Sequence, residues 1–214
     1  MNRKPTWVPP LAFRLAVLCL AALLIAACER TPEPTINLYR AVHSGDLDQI
    51  KRHLEWGTDI NRAGADGDYP LHVAAKRGHQ VVVEKLLEHG AALDVRDADH
   101  HTPLQAALLA GKARTARLLF RRGSQEDPQA LLWQLVDKGV TDRDVLALVV
   151  DQGADVNAQN PSGERPLHIA VTGGQTLLVK RLITLGAEVN LTDAQGRTPL
   201  ALAIAERRSD LAAL

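Results

Sequence analysis

Metal-binding side chains are the first candidates for chemistry in this sequence, which contains eight histidines. Four potential ligands stand close together in segment 97–101: Asp97, Asp99, His100 and His101. Polar loop tips carry such residues without a metal, and no second ligand cluster follows at the spacing of zinc sites. We therefore assign no metal to the chain. The alternative remains testable, since replacing both histidines by Ala would then abolish divalent-ion binding.

Catalytic motifs are not found in the sequence. It has no glycine-rich phosphate loop, no nucleophile elbow and no pair of histidines at i, i+4 beside a glutamate. The pattern therefore predicts a protein that is not an enzyme and needs no cofactor.

Both cysteines, Cys19 and Cys28, lie near the N-terminus. Three basic residues within the first 14 positions precede the apolar run 15–27, which ends in small residues. This order is typical of a secretory signal peptide, predicted here at 1–27. The run makes about 20 Å of helix, short of the roughly 30 Å of a bilayer core, which argues against the alternative of an uncleaved anchor.

The tetrapeptide 25–28 (Ile-Ala-Ala-Cys) resembles the lipobox of bacterial lipoproteins. The resemblance implies that Cys28 is lipidated, becomes the new N-terminus and anchors the protein to the periplasmic face of a membrane. Glu29 at the next position resembles the outer-membrane sorting pattern, and the choice between inner and outer membrane stays open. The alternative is that Cys28 is only a small residue after a standard signal peptide. Residues 28–35, with two prolines, are predicted to be the lipidated end and a short tether.

Charge and composition limit the classes of partner. Basic and acidic residues number 25 each, but every acidic residue follows position 27, so removal of the leader leaves a mildly acidic chain. Such a chain lacks the basic surface that nucleic acid requires. Aromatic residues make up only 3%, which predicts a core of aliphatic side chains in thin helical layers.

Glycine and proline recur with one period. The spacings between the glycines are 33, 33, 30 and 33 in the series Gly57, Gly90, Gly123, Gly153, Gly186. The spacings between the prolines are 33, 63 and 33 in the series Pro70, Pro103, Pro166, Pro199. Each unit carries two short apolar stripes at helical spacing that end at glycine. Because neither helix can bury its stripe alone, copies must stack side by side.

The unit starts 69–75 (YPLHVAA), 102–107 (TPLQAA), 165–170 (RPLHIA) and 198–203 (TPLALA) closely resemble the ankyrin repeat. The resemblance covers 36–214. It implies an all-α solenoid of five to six helix-pair units with short finger hairpins, and a hydrogen-bonding role between repeats for His72 and His168.

Boundaries follow from the period and from its departures. The units are predicted at 36–64 (an N-terminal cap), 65–97, 98–124, 125–159 (irregular), 160–192 and 193–214 (a truncated C-terminal cap). The irregular unit has lost its finger, and Thr141 with Asp144 offers a cap for its second helix. The truncated unit is predicted to leave a thin, partly exposed apolar end.

Side chains on the fingers and on the concave face of the first helices are the predicted protein-binding surface. The finger residues are Asp66, Asp68, Asp99, His101, Glu164 and Arg197, and the helix residues are Lys76, Arg77, Leu109 and Trp133. Trp133 is singled out because Trp is enriched at binding hot spots and no finger shields it. Its alternative role is packing in place of the missing finger.

Two functions fit this pattern. One is a monomeric, membrane-tethered adaptor that holds or stabilises an envelope protein. The other is an immunity or inhibitor protein that neutralises a toxin acting in the envelope, and a toxin gene beside its own would favour it. The sequence does not name the partner.

Overall fold

The computed structural model describes residues 31–213, so the predicted signal peptide and Cys28 lie outside the described residues. The described chain is all helical, with twelve helices and no strand. They form six antiparallel pairs: α1 Leu38–Ser44 and α2 Leu47–Glu55; α3 Pro70–Arg77 and α4 Gln80–Glu88; α5 Pro103–Leu109 and α6 Ala113–Arg121; α7 Pro128–Asp137 and α8 Arg143–Asp151; α9 Pro166–Thr172 and α10 Thr176–Thr184; α11 Pro199–Ala205 and α12 Ser209–Ala212.

Proline and glycine set the helix limits. Five of the six first helices begin with proline, whose fixed φ suits a first helical turn and whose missing N–H would have no partner there. α3 shows the opposite end. Gly78 adopts a φ of 78° after its last turn, and the Gly78 N–H donates to the carbonyl of Ala75 at 3.1 Å. The chain then reverses into α4, so the 33-residue period becomes a helix hairpin.

One aliphatic core runs through the whole stack. First helices pack on first helices from α1 to α11, and second helices pack on second helices from α4 to α8 and again from α10 to α12. Fully buried alanines such as Ala74, Ala75 and Ala107 let the first helices approach closely, while leucines such as Leu86 and Leu119 fill the space behind them. This agrees with the predicted aliphatic core.

Buried polar side chains tie each unit to the next. The Nε2 atoms of His72 and His168 bond the carbonyls of His101 and Arg197, each 29 residues further on, at 2.8 Å and 3.0 Å. The predicted role of the two histidines is therefore confirmed. Burial lowers the pKa of His72, which favours the neutral ring expected at such a position.

Asparagine side chains make a second set of links, which the sequence reasoning missed. Asn61 accepts from the N–H of Ala92 and donates to the carbonyl of Gly90, both at 2.9 Å. The irregular unit uses Gln129 instead, which accepts from the N–H of Asp155 at 2.8 Å and donates to the same residue's carbonyl at 3.2 Å.

Four fingers project from the stack, at 64–68, 97–101, 160–164 and 193–197. Each is a five-residue turn that closes through a backbone bond between its own ends, such as Asp97 N–H to His101 carbonyl at 2.9 Å, and these turns are the predicted short fingers. Residues 123–128 run directly into α7, as predicted for the unit without a finger.

His100 has a left-handed backbone, with a φ of 62°, at the finger position where Gly67 and Gly163 stand in other units. A Cβ on Gly163 would lie 2.3 Å from Ala194 of the next finger, so that position requires glycine. No finger follows His100, which explains why a side chain fits there.

The N-terminal cap of α8 and the last helix pair are the features of the later units that the sequence left to the structure. Asp142, not Thr141, caps α8, because the Asp142 Oδ1 accepts from the N–H of Val145 at 3.0 Å, and Asp144 lies in the first turn. In the last unit α12 has only four residues, and Leu200 and Ile204 of α11 are 51% and 64% exposed. Along residues 31–213 no helix combines the length and the apolar character needed to cross a bilayer.

Candidate binding groove

The groove lies between the fingers and the exposed faces of the first helices, and it contains two hollows. The N-terminal hollow, of about 580 Å³, is lined by finger 64–68, α1 and α3. The C-terminal hollow, of about 680 Å³, is lined by α7, finger 160–164 and the end of α9. Of the predicted binding residues, Asp66, Asp68, Lys76 and Arg77 line the first hollow, and Trp133 and Glu164 line the second.

Lys76 is the centre of charge in the N-terminal hollow. Its Nζ lies 2.8 Å from Asp68 Oδ1 and 3.2 Å from Asp97 Oδ2. Burial acts to lower the pKa of Lys76, but the bonds to the two carboxylates outweigh it, so the pKa is raised and the ammonium is retained. Arg77 contacts the ring of His43 beside it.

The candidate metal ligands belong to a finger turn. Potential ligand atoms of Asp97, Asp99 and His101 lie within 4.8 Å of one another. However, Asp97 Oδ1 accepts from the N–H groups of Asp99 and His101 at 3.0 Å and 2.8 Å, and Asn160 makes the same two kinds of bond in another finger. Lys76 already neutralises the buried Asp97 carboxylate, and the two turn bonds hold it in place. These contacts account for the position of the cluster without a metal ion.

The Asp97 carboxyl should make the fold sensitive to acid. Burial acts to raise its pKa, but the His101 N–H and Lys76 outweigh that effect and hold the pKa below its usual value. The ionised form therefore stabilises the fold above the ordinary carboxyl pKa of about 4, and this contribution is lost as the pH falls through the depressed pKa. Asp97→Asn keeps the turn but removes the ion pair. We expect it to unfold more easily at about pH 7, and to lose less stability than the wild type on acidification to about pH 3.

Urea unfolding at the two pH values measures this difference. Asp99→Asn is the matched control, since Asp99 is an exposed carboxylate of the same finger. Equal pH dependence of the wild type and Asp97→Asn would show that Asp97 is not the responsible group.

Trp133 is partly buried in α7 and opens onto the C-terminal hollow. Asp137 stands one turn further along α7, and Glu164 belongs to the finger opposite. Gln175 borders the same hollow from the loop after α9. The sequence reasoning missed Asp137 and Gln175, although the i, i+4 spacing of Trp133 and Asp137 could have indicated a shared helix face.

The other predicted residues line neither hollow. Leu109 is half-buried at the end of α5 and packs against the core. Asp99 is an exposed finger residue, and His101 ends the same finger. Arg197 is exposed but bonded to Asp193, with its Nε 2.9 Å from Oδ2.

Comparisons with known proteins place the fold in a family. A family model of ankyrin repeats (3 copies) matches residues 38–130 and 132–214. Rabankyrin-5 from Mus musculus is 29% identical over 153 residues, which are 68% of this chain and 13% of that protein. L-asparaginase from Dirofilaria immitis is 31% identical over 149 residues, 67% of this chain and 25% of that protein. The chain thus spans a quarter or less of either relative.

Solved structures share the architecture at low identity. One is a chain from the complex of the predatory endopeptidase Bd0816 from Bdellovibrio bacteriovorus with the immunity protein Bd3460. Its TM-score is 0.63 at 22% identity, with 85% of this chain and 97% of that one covered. An ankyrin repeat domain from Acinetobacter baumannii has a TM-score of 0.60 at 24% identity, covering 82% of this chain and 94% of that one. The family match spans most of the sequence and the helix pairs repeat as that family's do, so this chain belongs to the ankyrin-repeat family.

Proposed function

We propose that this protein is a non-catalytic interaction module, tethered to the periplasmic side of a bacterial membrane, whose groove binds another protein. In this role it acts as an adaptor or stabiliser of an envelope protein. The observation that carries the proposal is the C-terminal hollow, where a partly buried Trp133 opens to solvent within a groove of an ankyrin stack. Tryptophan is among the residue types that are enriched at binding hot spots.

The membrane tether rests on the sequence around Cys28 and on how the described chain begins. The Thr31 carbonyl accepts from the indole N–H of Trp56 at 2.9 Å, and the Thr35 N–H donates to Gln49 Oε1 at 2.9 Å. Thr31 follows Cys28 by three residues, so a lipid on Cys28 would lie within about 11 Å of Thr31. Such a tether would hold the first repeat close to the bilayer. We assign the tether to the outer membrane, because Glu29, the residue after Cys28, resembles the outer-membrane sorting pattern.

An immunity or inhibitor function is the second candidate. It is favoured by the likeness to a chain of the complex between an endopeptidase and an immunity protein. The two functions differ in what binding does to the partner. Inhibition of a captured enzyme by the purified chain would favour immunity, whereas retained activity and raised partner stability would favour the adaptor.

A crosslinked capture from envelope extract tests the proposed function. The bait is the full chain in mild detergent, and Trp133→Ala is compared with it. Trp56→Ala is the matched control, because Trp56 is 49% exposed but lies at the end of α2, away from the groove. We expect one envelope protein to be enriched by the wild type and by Trp56→Ala, and to be lost with Trp133→Ala.

Other outcomes count against parts of the proposal. If Trp133→Ala captures the same protein equally well, the binding site lies elsewhere on the stack. If the folded wild type enriches no envelope protein under any growth condition tested, the adaptor function is wrong.

A further inference from the structure

The C-terminal hollow is lined by groups that attract a positive charge. Asp137 and Glu164 carry carboxylates, and Trp133 offers an aromatic face. The remaining polar side chains that line it are uncharged, and neither Lys nor Arg is among its described lining residues. Arg165, the cation next to Glu164, donates to the carbonyls of Thr192 and Asn157 instead.

Gln175 adds an acceptor without a donor. Its Oε1 atom is buried and accepts no hydrogen bond from any residue that the structure describes. Its side chain lies over Gly139, where a Cβ would be only 2.9 Å from the Gln175 Nε2. A buried carbonyl oxygen ordinarily has a donor, so Gln175 leaves one acceptor unsatisfied at the border of the hollow.

The repeat itself shows what kind of group completes such a hollow. Glu164 and Thr172 stand 96 positions after Asp68 and Lys76, at the same places of their units. In the N-terminal hollow the Lys76 ammonium lies 2.8 Å from the Asp68 carboxylate. In the C-terminal hollow the carboxylate is kept, but the lysine is replaced by threonine. Asp193, the counterpart of Asp97, is paired with Arg197 at 2.8 Å. Among the lining residues of the second hollow, Glu164 therefore keeps the negative charge of Asp68 without the cation that Lys76 supplies.

We propose that the C-terminal hollow binds a basic side chain of the partner protein, which takes the place that Lys76 occupies in the N-terminal hollow. Arginine fits better than lysine, because its planar fork can bond carboxylates and stack on an indole at the same time. This inference rests on the proposed function, since it names the chemistry of the partner's contact with the groove.

Titration with a single basic residue tests the inference without knowing the partner. The probe is Nα-acetyl-arginine amide, added to the ¹⁵N-labelled full chain in mild detergent. The readout is the indole N–H resonance of Trp133, assigned with Trp133→Phe. We expect this resonance to shift saturably at millimolar probe, while that of Trp56 stays in place. The citrulline analogue has the same shape without the charge and should bind about fivefold more weakly or not at all.

Two variants locate the binding site. Thr172→Lys should place an internal cation beside Glu164, as Lys76 lies beside Asp68, and should weaken probe binding about fivefold or more. Glu164→Gln should weaken it as well. Asp151→Asn is the control, because Asp151 is an exposed carboxylate at the end of α8, outside the hollow. An unchanged Trp56 resonance and melting temperature verify that each variant is folded.

The inference is overturned if the arginine probe leaves Trp133 unshifted, if citrulline binds equally well, or if Thr172→Lys binds the probe as the wild type does. Because the titration needs no partner, its result is separate from the capture experiment. Capture of a protein through Trp133 without arginine selectivity would reject only the basic contact. Arginine selectivity without any capture would instead reject the adaptor function and leave the chemistry of the hollow in place.

Discussion

Replacing Leu86 by Ala should lower the free energy of unfolding by about 2–5 kcal/mol. Leu86 lies in the last turn of α4, is 0% exposed and belongs to the continuous core. Its truncation removes buried methyl groups and leaves a cavity that the neighbouring helices can only partly close. Because each unit of a solenoid is held by its neighbours, the loss weakens the contacts of α4 with both α3 and α6. Urea unfolding followed by circular dichroism measures the change as a lower midpoint.

Val81→Ala is the matched control for Leu86→Ala. Val81 belongs to the same helix, but its side chain is 52% exposed. Surface truncations of this kind change stability by about 0.5 kcal/mol or less. If Leu86→Ala unfolds at the same urea concentration as the wild type, the assignment of Leu86 to the core is wrong.

The architecture could be predicted because it depends on local signals that repeat. Proline at the first helical position and glycine after the last turn act within a few residues, so their spacing alone defines the helix pairs. The apolar stripes between them show which faces must be buried. The bonds of His72 and His168 were predicted for a related reason, since both residues occupy the same place in the repeated motif.

The fine structure depends on atoms that are distant in the sequence, and the sequence pattern does not encode their positions. The ion pair between Lys76 and Asp97 joins two units, and the bond from Gln129 to Asp155 replaces an asparagine link in the irregular one. The cap of α8 was misassigned for a smaller reason. Thr141 and Asp142 are both good caps, and one residue of loop geometry decides between them.

The candidate site could be predicted only in part, because it too depends on contacts between residues that are distant in the sequence. Trp133 and Glu164 were identified separately, and only the fold shows that they line one hollow. Gln175 is unremarkable in the sequence, because its importance comes from the burial of one oxygen atom. The exchange of Lys76 for Thr172 was visible in the sequence, but its meaning required the observed contact between Lys76 and Asp68.

Loss of one finger also changes what the groove offers a partner. Residues 123–128 enter α7 directly, so the row of fingers has a gap between His101 and Asn160. Gly163 is held against Ala194 of the next finger, whereas His100 faces the gap. The C-terminal hollow, bordered by finger 160–164, lies next to this gap. A loop of a partner protein could therefore reach Trp133 through the gap without displacing a finger.

Replacing Cys28 by Ala should abolish acylation of the protein altogether. The thiol is the only atom in the predicted lipobox that can accept diacylglycerol, so its loss leaves no site for the lipid. Several acyl chains contribute about 0.8 kcal/mol for each buried methylene, which makes the anchor stable, whereas a single chain binds only reversibly. Metabolic labelling with a fatty acid, followed by detergent phase partitioning and mass spectrometry of the mature chain, measures the effect.

Cys19→Ala is the matched control for Cys28→Ala, since Cys19 is the only other thiol and lies inside the apolar run. We expect Cys19→Ala to be labelled and cleaved before residue 28, because Cys19 leaves with the leader. Cys28→Ala should carry no label and should either keep the leader or be released in soluble form. Labelling of Cys28→Ala, or its unchanged partitioning into the detergent phase, would contradict the lipid anchor. The capture experiment would still be valid in that case, because the described lining of the C-terminal hollow, which includes Trp133, contains no residue of the tether.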